Sequence, residues 1–269
     1  MINNKIRIGV IGLGYLGKFH YQKYKASKLV KLTSVVDINI DNHALVTEES
    51  ISKFKKYQDI VDHVDAVSIV TPTSSHFKIA KYFLEKNIHV LLEKPMTETV
   101  AQAKKLNNIA KKNNCILQIG HLEQFNPAIR KIRKSNCKPQ FIEVHRLCQF
   151  NPRANDVDVV LDLMIHDIDI VLSLINKPIK NIEVSGKKIL TKLTDIANVR
   201  IKFEDNIVAN LTASRISTKN ERKMRIFSDS SYYSIDFINN ELKQVVKDKK
   251  NNFKMKDFRF KKTDVLYEE

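Results

Sequence analysis

The chain has 269 residues, of which 43% are hydrophobic and 28% are charged. This composition is typical of a folded protein with a sizeable core and excludes a disordered or fibrous chain. No apolar run approaches the roughly 18 residues that a membrane helix needs, and no cleavable leader precedes the first glycine motif. We therefore expect a cytoplasmic protein without membrane insertion, and the 3 cysteines, which lack C-x-x-C spacing, indicate reduced thiols.

The net charge of +16, from 46 basic and 30 acidic residues, raises the question of a nucleic-acid partner. The lysines, however, are scattered over the predicted helix faces and do not gather beside aromatic residues. This pattern favours solvated surfaces, so we predict no nucleic-acid partner. A small acidic substrate is compatible with the charge.

The first part of the chain alternates between predicted strands and predicted helices. In order these are a strand over 5–11, a helix over 15–27, strands over 30–37 and 66–70, a helix over 74–85, a strand over 88–92, a helix over 97–113 and a strand over 116–119. Short apolar strands separated by helices predict an α/β domain with a parallel sheet and crossover helices. We place this domain at residues 1–120.

The remainder, residues 121–269, forms a second predicted domain in which strands follow one another. Helices over 126–134 and 159–175 flank a strand over 141–147, and further strands are predicted over 184–190, 198–203, 207–213, 223–227 and 232–237. Because few helices separate these strands, we expect largely antiparallel pairing.

Residues 12–17 carry the G-x-G-x-x-G pattern directly between a predicted strand and a predicted helix. The first glycine permits a tight turn, the second lets main chain approach a pyrophosphate, and the third allows close packing of helix and strand. The helix N-terminus offers unpaired N–H groups to the anion. The pattern predicts a dinucleotide site that includes Gly12, Gly14, Tyr15, Leu16 and Gly17.

The second predicted strand ends in Asp37, 20 residues after Gly17. A carboxylate at this position accepts hydrogen bonds from the ribose hydroxyls of NAD and repels the 2′-phosphate of NADP. NADP remains an alternative, because Asn39 and nearby lysines would weaken the repulsion. A cap on the following turn is the other interpretation of Asp37.

Two further polar clusters follow predicted strands, where ligands of open parallel sheets bind. They comprise Thr71 and Pro72 with His76, and Glu93 with Lys94 and Pro95. Lys94 stands directly after an apolar strand, which favours a functional amine over an exposed turn lysine, although the second interpretation stays open.

A strongly apolar helix in the second domain carries Asp162, His166 and Asp169 on one face. Burying a carboxylate and an imidazole is costly unless they are paired or lie beside a ligand. Asp162 and His166 are four residues apart, so the carboxylate can fix the tautomer of the ring. A buried structural pair is the alternative, and no third ligand at a recognisable spacing supports a metal site.

These motifs, in this order, resemble the glucose-fructose oxidoreductase / inositol dehydrogenase / MocA family. The resemblance implies an N-terminal Rossmann domain with a doubly wound parallel sheet. It also implies a C-terminal α+β domain with a mixed, largely antiparallel sheet that binds substrate and forms homo-oligomers. The active site would lie between the two domains, with Thr71, Pro72, His76, Glu93 and Lys94 at the cofactor.

A narrower resemblance, to UDP-N-acetylglucosamine 3-dehydrogenases, rests on residues 120–127, 146–167, 195–198 and 212–215. It implies oxidation of a nucleotide sugar at C3 in the lipid A precursor pathway, with NAD as the cofactor. Two departures are Gln124, where relatives commonly carry arginine, and a C-terminus that predicts a truncated second domain. The forked donors of Arg153 and Arg215 suit a diphosphate.

The resulting hypothesis is hydride transfer, with Lys94 or His166 removing the hydroxyl proton and Asp162 aligning His166. The residues do not decide which group is the base. Two alternatives stay open: a family dehydrogenase for another sugar or polyol, and a truncated remnant that binds NAD without turnover.

Overall fold

The computed structural model describes residues 5–151, 157–247, 252–261 and 264–269. The chain divides into two compact units, Met1–His121 and Leu122–Glu269. No helix within the described parts of the chain combines the length and the apolar character needed to cross a membrane.

The first unit is a six-stranded parallel sheet with helices between its strands. Its elements are β1 (Ile6–Ile11), α1 (Tyr15–Ala26), β2 (Val30–Val36), β3 (Ser52–Phe54), β4 (Ala66–Ile69), α2 (Thr73–Leu84), β5 (His89–Leu92), α3 (Val100–Lys112) and β6 (Leu117–Ile119). The strand order is β3-β2-β1-β4-β5-β6. This is the doubly wound Rossmann order, as the alternating pattern predicts.

The apolar strands of the first unit are buried because helices cover both faces of a parallel sheet. Val10, Ile69 and Leu92 are fully buried. Helix α3 begins where the Thr99 side chain accepts a hydrogen bond from the amide of Gln102, a usual N-cap arrangement. The short edge strand β3 is absent from the sequence prediction, since three residues carry too little periodicity to be recognised.

The second unit is an eight-stranded mixed sheet. Its elements are α4 (Pro127–Lys134), β7 (Pro139–Leu147), a π-helical turn (Val160–Met164), α5 (Ile165–Leu174), β8 (Ile179–Lys187), β9 (Ile196–Phe203), β10 (Val208–Ser214), β11 (Glu221–Ser228), β12 (Ser231–Asp236), β13 (Glu241–Lys247), β14 (Phe253–Arg259) and α6 (Val265–Glu268). The strand order is β14-β13-β12-β11-β7-β10-β9-β8. Only the central pair β7 and β10 is parallel among these strands, so the sheet is largely antiparallel, as predicted.

One face of this sheet forms the core of the second unit. Ile129 and Ile132 of α4 and Ile170 of α5 belong to the same buried cluster as Ile142 and Leu211 of the sheet. Alternate residues of β10 are buried, which is the pattern of a strand with one covered face.

Strand β8 ends before the predicted limit of residue 190, because the following loop folds around a carboxylate. The amides of Ile189, Leu190 and Thr191 all donate to Asp195 Oδ2 at 2.7–2.9 Å. Burial raises the pKa of Asp195, but these hydrogen bonds and one from the Thr191 hydroxyl outweigh burial and leave the pKa below its ordinary value.

Candidate functional site

The turn after β1 requires glycine at two positions. Gly12 has a φ of +93°, and a Cβ there would lie 2.6 Å from the carbonyl oxygen of Val70. A Cβ on Gly17 would overlap the carbonyl oxygen of Gly12, since helix α1 crosses the turn at close range. These two glycines therefore maintain the shape of the turn.

Gly14, by contrast, faces open space. A Cβ built on Gly14 would meet no atom within 4 Å, and its φ of −64° is accessible to any residue. Gly14 is the N-cap residue of α1 and has no side chain that could accept from the first amides of the helix. The first turn of α1 also contains no acidic residue. An open cradle at the positive end of a helix fits a phosphate group.

Asp37 follows β2 and is tied to the glycine turn. Its Oδ2 accepts a hydrogen bond of 2.7 Å from the Leu13 amide, and its Oδ1 accepts one of 2.8 Å from the Asn39 amide. The carboxylate thus caps the next turn, as one interpretation of the sequence holds. Because each ionised oxygen can accept more than one hydrogen bond, Asp37 retains acceptor capacity for ribose hydroxyls.

His76 of α2 links the loops that follow β4 and β5. Its Nδ1 lies 2.9 Å from the Pro95 carbonyl oxygen, and its Nε2 lies 2.8 Å from the Thr71 carbonyl oxygen. The ring is buried. His76 therefore acts on the predicted cofactor edge by holding two loops together, and a direct contact with the cofactor stays a prediction.

Glu93 is also buried, with its carboxylate hydrogen-bonded inside the first unit. Oε1 lies 3.0 Å from His20 Nε2, and Oε2 accepts a 3.1 Å hydrogen bond from the Lys94 amide. On its other side, the His20 ring has Nδ1 2.9 Å from the hydroxyl of Ser68. Glu93 thus binds the main chain of Lys94. The Lys94 side chain is partly buried and follows β5 at the carboxyl end of the sheet.

In the second unit, Asp162 lies on a π-helical turn. The Ile165 amide donates to the Val160 carbonyl five residues earlier, and α5 continues from there with His166 in its first turn. Asp158 Oδ1 accepts from the amides of Val160 and Leu161, so the start of this segment is capped by a carboxylate. Such π turns are frequent at functional sites, because they change which residues share a helix face.

The carboxylate next to His166 in sequence belongs to a buried ion pair. Asp167 accepts two hydrogen bonds of 2.8 Å from Arg146 of β7, and Glu123 lies 3.4 Å from the same guanidinium. Burial raises the pKa of Asp167, and the attraction of Arg146 opposes this rise. This ion pair holds α5 against β7 and thereby positions His166, which α5 carries, relative to the sheet.

Asp169 and Gln124 are in contact. Gln124 Nε2 donates to Asp169 Oδ2. The Gln124 amide is neutral, so this contact leaves the charge of Asp169 uncompensated. On this face of α5 the partner of Asp169 is therefore a neutral amide.

Cys148, Asp162, Arg215 and Arg222 are electrostatic neighbours. Burial raises the pKa of the Cys148 thiol, Asp162 adds to the rise, and the two arginines oppose it. Arg215 is buried and donates from Nη2 to the Val157 carbonyl at 2.7 Å. Arg222, which pairs across the sheet with Arg146, is exposed. Asp162 and both arginines therefore lie within electrostatic range of the Cys148 thiol.

Each unit therefore assembles one group of the residues singled out from the sequence. The turn glycines, Asp37, Thr71, Pro72, His76, Glu93 and Lys94 lie at the carboxyl ends of the parallel strands. Asp162, His166 and Arg215 belong to the second unit, and Arg153 lies outside the described residues.

No local sequence pattern indicated a role for His20, Ser68, Arg146 or Arg222. His20 could have been noticed, because it is the one histidine of a helix that follows a glycine turn. The remaining polar residues of α1 are mostly lysines. Among the described residues no group of three His, Cys, Asp or Glu side chains is arranged to hold a metal ion.

Two family models match the chain. Residues 6–121 match the model described as "Oxidoreductase family, NAD-binding Rossmann fold", and residues 139–233 match the GFO/IDH/MocA C-terminal domain.

Several proteins are similar over most of the chain. The UDP-N-acetylglucosamine 3-dehydrogenase of Acidithiobacillus ferrooxidans is 40% identical over 239 residues, which cover 88% of this chain and 76% of the relative. Its solved structure superposes with a TM-score of 0.91 at 36% identity, covering 100% of this chain and 86% of that one. The scyllo-inositol 2-dehydrogenase (NAD(+)) of Bacillus subtilis is 28% identical and covers 80% of this chain and 69% of the relative.

Proposed function

Because the chain belongs to the glucose-fructose oxidoreductase / inositol dehydrogenase / MocA family of NAD-binding oxidoreductases, we propose that it oxidises UDP-N-acetylglucosamine at C3. The observation that carries the proposal is the 40% identity to a dehydrogenase of that sugar, in a chain that retains Lys94, Asp162 and His166. The same three residues disfavour the alternative of a protein that binds NAD without turnover.

The glycine turn fits NAD. The open space at Gly14 and the uncapped start of α1 would hold the pyrophosphate, with the main chain of residues 12–17 as donor. Asp37 would accept from the adenosine ribose. When bound, NAD supplies the hydride acceptor of the reaction.

The protein must then provide a base. Loss of hydride from the sugar carbon leaves a carbonyl only if the hydroxyl proton departs, and a positioned amine or imidazole accelerates that transfer. We propose that Lys94 or His166 takes this proton. Asp162 holds the ring of His166 in the required tautomer.

Arginines in the second unit would bind the diphosphate of the sugar nucleotide. The Arg222 side chain is exposed, whereas the Arg215 side chain already donates to the Val157 carbonyl. Both cations lower the pKa of the Cys148 thiol, so either would also attract a dianion that binds near Cys148. Arg153 is retained as a third candidate.

We assign residues 1–120 to cofactor binding and residues 121–269 to substrate binding and oligomerisation. The exposed apolar side chains Ile182 and Val184 on β8 support a homo-oligomer. The cytoplasm is the compartment we propose, and the lipid A precursor pathway is the route that would consume the oxidised sugar.

Gly14→Ala is expected to weaken NAD binding by about tenfold or more, a loss of roughly 1.4 kcal/mol, because the methyl group occupies the pyrophosphate cradle. Stability should change by less than about 0.5 kcal/mol, since nothing lies within 4 Å of the new Cβ. Calorimetric titration with NAD and a melting curve measure the two effects. Gly17→Ala is the contrasting variant and should lower the melting temperature, because its Cβ overlaps Gly12. Unchanged NAD affinity in Gly14→Ala would show that the cradle is not the pyrophosphate site.

Asp37→Asn is expected to shift the ratio of NADP to NAD affinity by about tenfold or more in favour of NADP, because it removes the charge that repels the 2′-phosphate. The amide oxygen can still accept from the Leu13 amide, whereas the amide nitrogen cannot accept from the Asn39 amide, so the variant keeps one of the two hydrogen bonds of the turn. Fluorescence titrations with both cofactors give the ratio. Asp41→Asn removes an exposed charge nearby and should leave the ratio unchanged; equal ratios in the two variants would exclude Asp37 as the discriminating group.

The proposed function is tested by mixing the protein with NAD and UDP-N-acetylglucosamine and following the absorbance of the reduced cofactor. We expect turnover with the nucleotide sugar and none with glucose or scyllo-inositol at equal concentration. Turnover with a plain sugar or polyol alone would favour another activity of the family, and NAD binding without turnover on any of these compounds would contradict the proposed dehydrogenase.

A further inference from the structure

The buried hydrogen bonds around Glu93 form one continuous chain. Ser68, His20 and Glu93 are 0%, 1% and 4% exposed, and adjacent members lie 2.9 and 3.0 Å apart. The chain ends at the main-chain amide of Lys94, 3.1 Å from Glu93 Oε2. Since Ser68 is sealed from solvent, this Ser–His–Glu series cannot act as a nucleophilic triad on a substrate.

One arrangement of protons satisfies every member of the chain. The Lys94 amide can only donate, and an ionised Glu93 can only accept. His20 therefore donates from Nε2 to Oε1, which leaves Nδ1 as the acceptor for the Ser68 hydroxyl. A fully satisfied buried network of this kind is rigid, because each alternative leaves a polar group without a partner.

The position of the Glu93 carboxylate is also fixed by what lies against it. A Cβ on Gly120 would lie 3.0 Å from the carboxylate carbon and from Oε1. The Glu93 carboxylate can therefore occupy this position only because residue 120, after β6, is a glycine. The Glu93 carboxylate is thus held by a hydrogen bond to His20 on one oxygen, a hydrogen bond from the Lys94 amide on the other, and close packing against Gly120. These three neighbours leave it little room to move.

We propose that His20, Ser68 and Glu93 are positioning residues that fix the main chain of Lys94 and thereby direct its amine to the reacting carbon. The inference rests on the proposed function and deepens it. A displacement of about 1 Å in a catalytic group is enough to lower a rate by about 10²-fold, so loss of one hydrogen bond in the support has a measurable effect.

Two substitutions of His20 separate positioning from folding. In His20→Gln the amide nitrogen reaches the position of Nε2 and can still donate to Glu93, whereas in His20→Asn it reaches only the position of Nδ1. We expect kcat of His20→Gln within about threefold of wild type and kcat of His20→Asn lowered about tenfold, with KM for NAD and sugar changed less than about threefold. Equal kcat in the two variants, whatever their melting temperatures, would overturn the inference.

A second readout does not depend on turnover. Reductive ¹³C-methylation of the lysines gives one NMR signal per amine, and the Lys94 signal is the one lost in Lys94→Arg. His20→Asn should move or broaden this signal, and His20→Gln should leave it near its wild-type position. If the wild type oxidises no sugar, the proposed function is wrong, but the NMR measurement still shows whether His20 positions Lys94. An unmoved Lys94 signal in His20→Asn would overturn the inference.

Discussion

Lys94→Ala is expected to lower kcat for oxidation of UDP-N-acetylglucosamine by about 10²-fold or more, because a general base contributes about 10²- to 10⁴-fold. The folded state should be little affected, since the side chain is only partly buried and its amide still binds Glu93. Steady-state kinetics at saturating NAD and sugar measure the loss. Added methylamine should restore part of the activity if the missing group is an amine.

The matched control is Lys78→Ala, which removes an exposed lysine of α2 in the same unit. Its kcat should equal that of the wild type, and methylamine should have no effect on it. If Lys94→Ala turned over within a few-fold of the wild type, Lys94 would be excluded as the base.

His166→Ala is expected to lower kcat by about 10²-fold or more, and Asp162→Asn by about tenfold. Asp162 is proposed to act through the imidazole, so the double variant should be no slower than His166→Ala alone, which is the signature of two residues that act as a unit. The measurement is the complete set of kcat values for the two single variants and the double variant.

His145→Ala serves as the control in the second unit. His145 lies on β7 beside Glu221, and its side chain is 40% exposed. Its loss should leave kcat unchanged. Additive losses in the double variant would indicate that Asp162 and His166 contribute separately, and the assignment of Asp162 as the aligning group would be wrong.

The sequence predicted the fold class because its signals were local and strong. The apolar strand before Gly12 and the glycines themselves locate the start of the first unit, and strands without intervening helices indicate the antiparallel sheet of the second. This class is confirmed by the two sheets. Strands β13 and β14 were missed because β13 lacks an apolar alternation and the alternation of β14 changes phase at Asp257, so their pairing depends on neighbouring strands more than on their own residues.

The site was predicted less completely, because the burial and the partners of a side chain depend on how distant segments pack together. The i, i+4 spacing marked Asp162 and His166, but no spacing reveals the π turn that carries Asp162. Asp167 stood outside the predicted polar face, yet it is buried against Arg146, 21 residues away in sequence. His20 and Glu93 are 73 residues apart, so only the folded sheet shows that they meet.

The most direct test of hydride transfer from C3 uses UDP-N-acetylglucosamine that carries deuterium at that carbon. After incubation with NAD and the protein, mass spectrometry should find the reduced cofactor one mass unit heavier, and the initial rate should fall if hydride transfer limits turnover. Deuterium retained in the sugar or released to water, with cofactor reduced at its ordinary mass, would contradict oxidation at C3.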